Sequence, residues 1–205
     1  MKPSSLPMEP RQSDPVLKTV AVTASSRKAG KSTLACMMVR NLKADFALKV
    51  STGEHGEAGL VITDPAILGQ PGTDTARLME AGARQVAWVN LSPGSGISQA
   101  LDLFQGPGIL VIEGNTALGY LDPDFTVFLM SAPLRDFKPS AHLALARADL
   151  VITDLGMLPP GRRIEEELRE VRTPGRSTQV FVSGESEREA AYHLAVEEAR
   201  RRLGT

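Results

Sequence analysis

The sequence predicts an α/β fold: a mostly parallel sheet with helices packed on both faces in three layers. Three observations predict it. Short apolar, β-branched runs alternate with segments whose apolar residues recur at helical spacing, the pattern of βαβ units. The first of these runs passes through a Gly-Lys-Ser turn directly into a helical stripe. No repeat, linker or composition break interrupts residues 16–203, which makes 16–205 one domain behind a proline-rich tail at 1–15.

The elements follow in order. "VLKTVAVT" (16–23) suits a strand buried on both faces. Leu34, Met37, Met38 and Leu42 then mark the buried stripe of a first helix. "FALKV" (46–50) reads as a second strand, and "GLVIT" (59–63) as a third, expected to pair with it as a ribbon across the "GEHGEAG" turn. Residues 73–82 read as helix and "QVAWVNL" (85–91) as strand. Ile97, Leu101 and Phe104 give a helical stripe before the strongly apolar "GILVIEG" (108–114). The unit repeats as strand "FTVFLMS" (125–131), a helix over about 139–148, and strand "DLVITD" (149–154). Ile164, Leu168 and Val171 mark a further helix and "QVFVSG" (179–184) a further strand. A closing helix carries Tyr192, Ala195, Val196, Ala199 and Leu203 on one face.

Composition narrows the function classes. Hydrophobic residues make up 42% and charged residues 23%, as in a soluble globular protein. A formal net charge of −1 gives no general pull toward nucleic acid or a membrane, so anion binding has to come from a local site. Cys36 is the only cysteine, which excludes an intrachain disulfide, and its apolar surroundings predict an inert buried thiol. No apolar run approaches the roughly 20 residues of a membrane span. The N-terminal "MKPSSLPMEPRQSDP" lacks a hydrophobic core segment and reads as a disordered tail, not a secretory signal. A cytoplasmic protein is expected.

The local site is found in "SSRKAGKST" (25–33). Gly30-Lys31-Ser32 ends the G-x-x-x-x-G-K-[ST] pattern, between a buried strand and an amphipathic helix. Backbone N–H groups and the helix N-terminus then surround phosphate oxygens. Ser26, Arg27, Lys28, Ala29, Gly30, Lys31, Ser32 and Thr33 are the predicted phosphate-binding residues. Lys31 would bridge the β- and γ-phosphates and the Ser32 hydroxyl would ligate Mg²⁺. Ser25 departs from the pattern, which has glycine there. If that position requires φ > 0, serine costs about 1 kcal/mol or more; its hydroxyl can also serve the turn.

Such a loop needs an acid at the end of a neighbouring strand. Glu113 closes "ILVIE", where the strand's carboxyl end opens toward the crevice. Asp64 and Asp74 are further carboxylates within reach of the metal, although Thr73 and Asp74 also stand where a helix N-cap falls. The predicted metal ligands are Ser32, Asp74 and Glu113, and the predicted catalytic residues are Glu113 and Lys31. Arg135 and Lys138 follow a strand that ends near the crevice, where they would meet substrate or base. "SPGSGIS" (92–98) reads as a strand-to-helix loop, and "RRIEEELREVR" (162–172) as a solvated helix face.

Three stretches together, "SSRKAGKSTLACMMVRNL" with "FALKV", then "QPGTDTARLMEAGARQVAWV", then "GILVIEGN", resemble the molybdopterin-guanine dinucleotide biosynthesis adaptor family (MobB). The resemblance spans roughly residues 17–155, and the middle block is its most specific part. It implies the P-loop NTPase fold shared by dimeric metallochaperone GTPases and dethiobiotin synthetase. It further implies Mg²⁺-dependent GTP binding, slow hydrolysis, a homodimer, and a cofactor-assembly nucleotidyltransferase as partner. Gly30, Lys31, Ser32 and Thr33 match its phosphate loop, Asp74 and Thr75 its middle motif, and Glu113 its Glu-Gly strand end. The histidine-rich stretch after the second strand is reduced to His55, and "DLGM" (154–157) stands where related GTPases carry Asn-Lys-x-Asp. Asp154 then remains as a residue able to contact a base, and the alternative on the same loop is an ATP-dependent kinase or carboxylate-activating ligase. A binding module that holds phosphates without turnover is a third reading.

Overall fold

A computed structural model describes residues 16–52, 60–90, 96–157 and 178–205. Strands β1 (Leu17–Ala24), β2 (Phe46–Ser51), β3 (Val61–Ile62), β4 (Gln85–Asn90), β5 (Gly108–Glu113), β6 (Phe125–Met130), β7 (Leu150–Asp154) and β8 (Thr178–Val182) form one sheet. Their order is β3-β4-β2-β5-β1-β6-β7-β8, and every pair is parallel except β3 with β4. The helices are α1 (Lys31–Leu42), α2 (Pro65–Leu68), α3 (Asp74–Glu80), α4 (Ile97–Asp102), α5 (Pro139–Ala146) and α6 (Glu185–Leu203).

The three layers follow from which side chains the strands turn to each face. Val20, Val22, Val111 and Val127 pack beneath Leu34 and Met38 of α1, Leu78 of α3, and Ala195 and Ala199 of α6. On the opposite face, Ala21, Phe128 and Val151 meet Ala144 and Leu145 of α5. Leu48, Ala87 and Leu110 meet Ile97 and Ala100 of α4 there. The stripe predicted for the last helix is the buried one: Tyr192, Ala195, Val196, Ala199 and Leu203 are all in the core.

One expected pairing is corrected. The segment after β2 does not return along it as a ribbon. Both edges of β2 are taken, by β4 and β5, so β3 pairs antiparallel with β4 at the sheet edge. The turn carrying His55, most of "SPGSGIS", the 162–172 helix and the 1–15 tail lie outside the described residues.

The topology places the site. β1 sits between β5 and β6, and the chain leaves it over α1 to reach β2, on the far side of β5. The carboxyl ends of β2, β5 and β1 therefore lie side by side, with Lys49 opposite Glu113 and Glu113 opposite Val22 in register. This is the crevice where ligands bind in open α/β sheets.

Candidate functional site

Two glycines show how tightly the loop is built. Gly30 precedes α1 at φ 96°, and a Cβ there would collide with the Tyr192 hydroxyl of α6. Gly114, directly after Glu113, has φ 144°, and a Cβ would strike the Val50 backbone of β2. No L side chain suits either place. The Glu-Gly strand end is thus a packing requirement that brings β5 close to β2.

The departure at Ser25 resolves differently from the expectation. Among the described non-glycine residues only Lys28 (φ 64°) and Lys43 (φ 52°) have positive φ. The left-handed positions of the loop are thus Lys28 and Gly30, and Ser25 carries no such strain. Its hydroxyl serves the end of β6 and not the turn: Ser25 Oγ accepts from the Ser131 amide at 2.8 Å. The Ser25 amide in turn donates to the Leu129 carbonyl at 2.9 Å. Ser26 Oγ lies 2.8 Å from Ser131 Oγ, and the Asn115 side chain grips both the amide and the carbonyl of Ala24, at 2.9 and 2.7 Å. The start of the loop is anchored to both neighbouring strands without a glycine.

Lys31 folds back over the loop and donates to the Ser26 carbonyl at 3.1 Å. Burial pulls its ammonium below the usual lysine range; Glu113 and Asp74 oppose this, while Lys49 and Arg27 add to it. Ser32 donates to Glu113 Oε1 at 3.0 Å. Glu113 is wholly buried, and its Oε2 has no hydrogen-bond partner. The three predicted metal ligands converge through Lys49, whose Nζ lies 2.6 Å from both Asp74 Oδ2 and Glu113 Oε1. Burial alone would lower Lys49, but Glu113 and Asp74 outweigh it and hold the ammonium above the usual range. Burial would likewise raise Asp74, yet the hydrogen bonds from Lys49 and Ser32 keep its carboxyl below the ordinary value.

The competing readings of Asp74 separate cleanly. Thr73 is the cap of α3, accepting from the Ala76 amide at 3.1 Å, which leaves Asp74 free to face Lys49. Asp64 does not join the site. It caps α2 by accepting from the Ala66 amide at 2.9 Å. Arg135 also stays out, paired loosely with Asp136 at 3.7 Å on the surface, whereas Lys138 lines the groove.

That groove, about 590 Å³, runs past Lys31, Ser32, Lys49, Asp74, Glu113 and Lys138. A smaller cavity of about 160 Å³ adjoins it, between Ser26, Arg27, Lys31, Lys49, Lys138 and Ser140. On the other flank of the loop a third hollow of about 530 Å³ lies between Lys28–Gly30, Thr33, Arg188 and Tyr192. Asp154 ends β7 on this flank and is already engaged: Arg188 forms an ion pair with Oδ2, and the Gly156 amide donates to Oδ1 at 3.0 Å.

The donor set fits a small hard cation. Two carboxylates and a hydroxyl, one oxygen of them buried and unpartnered, suit Mg²⁺, which takes one or two carboxylates and completes its shell with phosphates and water. Among the described residues no group of three or more His, Cys, Asp or Glu could hold a metal.

Lys49, the hub of the cluster, was not singled out by sequence reading. Its signal was a lone cation in the apolar strand "FALKV", but only the parallel register with β5 sets it against Glu113. Asn115 and Ser131 were equally silent, because Asn115 grips backbone groups of β1 and Ser131 meets the Ser25 and Ser26 hydroxyls, contacts that only the sheet order brings about.

No protein-family model matches the chain, and no curated protein sequence does. Solved structures do. HypB from Helicobacter pylori, crystallised in complex with nickel, superposes with TM-score 0.53 at 15% identity, covering 90% of this chain and 88% of that one. The hydrogenase maturation factor HypB from Archaeoglobus fulgidus gives 0.51 at 13% identity, covering 87% and 88%. At such identities the likeness is one of fold: an α/β, mostly parallel sheet with helices on both faces.

Proposed function

We propose that this protein binds a purine nucleoside triphosphate with Mg²⁺, hydrolyses it slowly, and acts as an adaptor in molybdenum cofactor assembly. The observation that carries the nucleotide reading is the meeting of Ser32, Asp74 and Glu113 beside the Lys31 loop. In this reading the loop amides and Lys31 hold the phosphates, and Ser32 with Asp74 and Glu113 hold the metal. Bound Mg²⁺ would supply charge neutralisation at the β- and γ-phosphate oxygens. Glu113 orients the attacking water from its buried position. The molybdenum cofactor role is supported by the "QPGTDTARLMEAGA" block together with the loop and "VIEGN". GTP is the nucleotide this resemblance favours, with a homodimer, a cytoplasmic setting and a cofactor-assembly nucleotidyltransferase as partner.

A second reading, an ATP-dependent kinase or acyl-phosphate-forming ligase, is favoured by one observation. The small cavity beside the loop is lined by Arg27, Lys31, Lys49 and Lys138 and by no carboxylate. A small anionic acceptor would find its charge complement there. Calorimetric titration with non-hydrolysable GTP and ATP analogues, with and without Mg²⁺, tests both readings. Mg²⁺-dependent preference for GTP is expected. Preference for ATP moves the reading to the kinase or ligase. Lys31→Ala should weaken binding by about 10–100-fold, the loss of charge-assisted hydrogen bonds worth roughly 1.5–3 kcal/mol. Unchanged affinity in that variant would end all three readings, the binding module included.

A further inference from the structure

The cluster at the end of β2 and β5 holds a cation already, and it belongs to the chain. We propose that Lys49 is a built-in stand-in for the divalent metal. Between Asp74 and Glu113 the site holds either the Lys49 ammonium or a nucleotide-borne cation, not both. This rests on the reading of Ser32, Asp74 and Glu113 as metal ligands.

Four observations carry it. Lys49 contacts both predicted carboxylate ligands at 2.6 Å, and the Glu113 oxygen it takes also accepts from Ser32. Each residue assigned to the metal is thus engaged, directly or through Glu113 Oε1, by one side chain. Glu113 is wholly buried, so its carboxylate form needs a cation beside it. Its second oxygen remains without a partner, which marks the site as incomplete while only an ammonium fills it. Finally, Lys49 also lines the small cavity with Ser26 and Lys31, which gives a displaced side chain a place to turn. There phosphate oxygens would replace the two carboxylates as its partners.

The consequence is an ordered exchange. Free metal meets a site already neutralised, whereas metal arriving with phosphates brings new partners for the ammonium it displaces.

The test needs no nucleotide. In wild-type protein, millimolar Mn²⁺ alone should leave the melting temperature unchanged. Lys49→Met should melt roughly 10 °C lower, as for a buried charge left unpaired, and Mn²⁺ should restore most of that loss. Manganese paramagnetic resonance should show about one bound ion per chain in that variant and none in wild type. Lys49→Arg should behave as wild type, and Glu113→Gln added to Lys49→Met should abolish the manganese response. Equal Mn²⁺ binding by wild type and Lys49→Met, or no response in the variant, would overturn the proposal.

If Lys49→Met does not fold, the ¹⁵N resonance of the Lys49 ammonium in wild type decides instead. It should shift with a Mg²⁺-bound triphosphate analogue and hold still with the analogue alone. An unmoved resonance in protein shown by calorimetry to be loaded overturns the exchange, while absence of loading counts against the nucleotide reading.

Discussion

The two flanks of the loop are built on opposite plans. On the β2–β5 side, charge is buried and shared: Lys49 joins Asp74 to a wholly buried Glu113, and Ser32 closes the cluster. On the α6 side a hollow of about 530 Å³ opens between the loop and Arg188 and Tyr192, and the nearby Asp154 is committed to Arg188. The difference teaches where the specificity of this protein lies. On the nucleotide reading, the flank given to phosphate and metal is wired in advance around Lys49, so a metal entering there would have to displace an ammonium that is already paired. On the other flank Asp154 is held by Arg188 while Glu185 and Glu189 line the hollow, so in the nucleotide reading a base there would meet those glutamates or an Asp154 released by Arg188.

The largest effect should come from the wired flank. Glu113→Gln should lower single-turnover nucleotide hydrolysis by about 10²–10⁴-fold and weaken the Mg²⁺-dependent part of nucleotide affinity, while Mg²⁺-free binding stays within a few-fold. Equal loss of affinity would make Glu113 a binding residue only. Between the flanks stands Gly30. Gly30→Ala forces both a left-handed alanine and a collision with Tyr192, and should cost roughly 1–3 kcal/mol by urea unfolding. Adding Tyr192→Phe should return part of that loss, and no recovery would place the whole penalty in the backbone.

The open flank should respond more modestly. Arg188→Ala frees Asp154 to accept from a base, and the ratio of GTP to ATP affinity should rise about 5–10-fold, the worth of a hydrogen bond near 1 kcal/mol. An unchanged ratio would place base reading elsewhere. The smallest effect is one of pH. Lys49 has a folded pKa above its unfolded value near 10.5, so its stabilisation is complete below that pH and fades as pH climbs through the raised value. Urea midpoints should therefore fall on the alkaline side in wild type and less steeply in Lys49→Met.

Much of the fold was legible because its signals are local. Short apolar, β-branched runs named seven of the eight described strands closely, and helical spacing named the buried face of α6 except for Ala191. The strand expected over 59–63 shrank to Val61–Ile62, and its partner was misjudged. Adjacency in sequence suggests a ribbon, but β2 had no free edge to offer. Short α2 escaped notice because four residues carry no period, although Asp64 and Pro65 are its cap and first residue.

The sequence by itself determined the chemistry available: a Gly-Lys-Ser turn between strand and helix, an acid closing an apolar strand, and a Thr-Asp pair at a helix start. It did so because each depends on neighbours in the chain. The tertiary structure decided how those groups are used. It put the loop's left-handed positions at Lys28 and Gly30 and not at Ser25, gave the cap of α3 to Thr73 so that Asp74 stays free, and removed Asp64 and Arg135 from the site. It also set Lys49 against Glu113, 64 positions apart in sequence, through the parallel register of two strands. A charge pair of that kind has no sequence period, since only the sheet order determines which strand ends become neighbours.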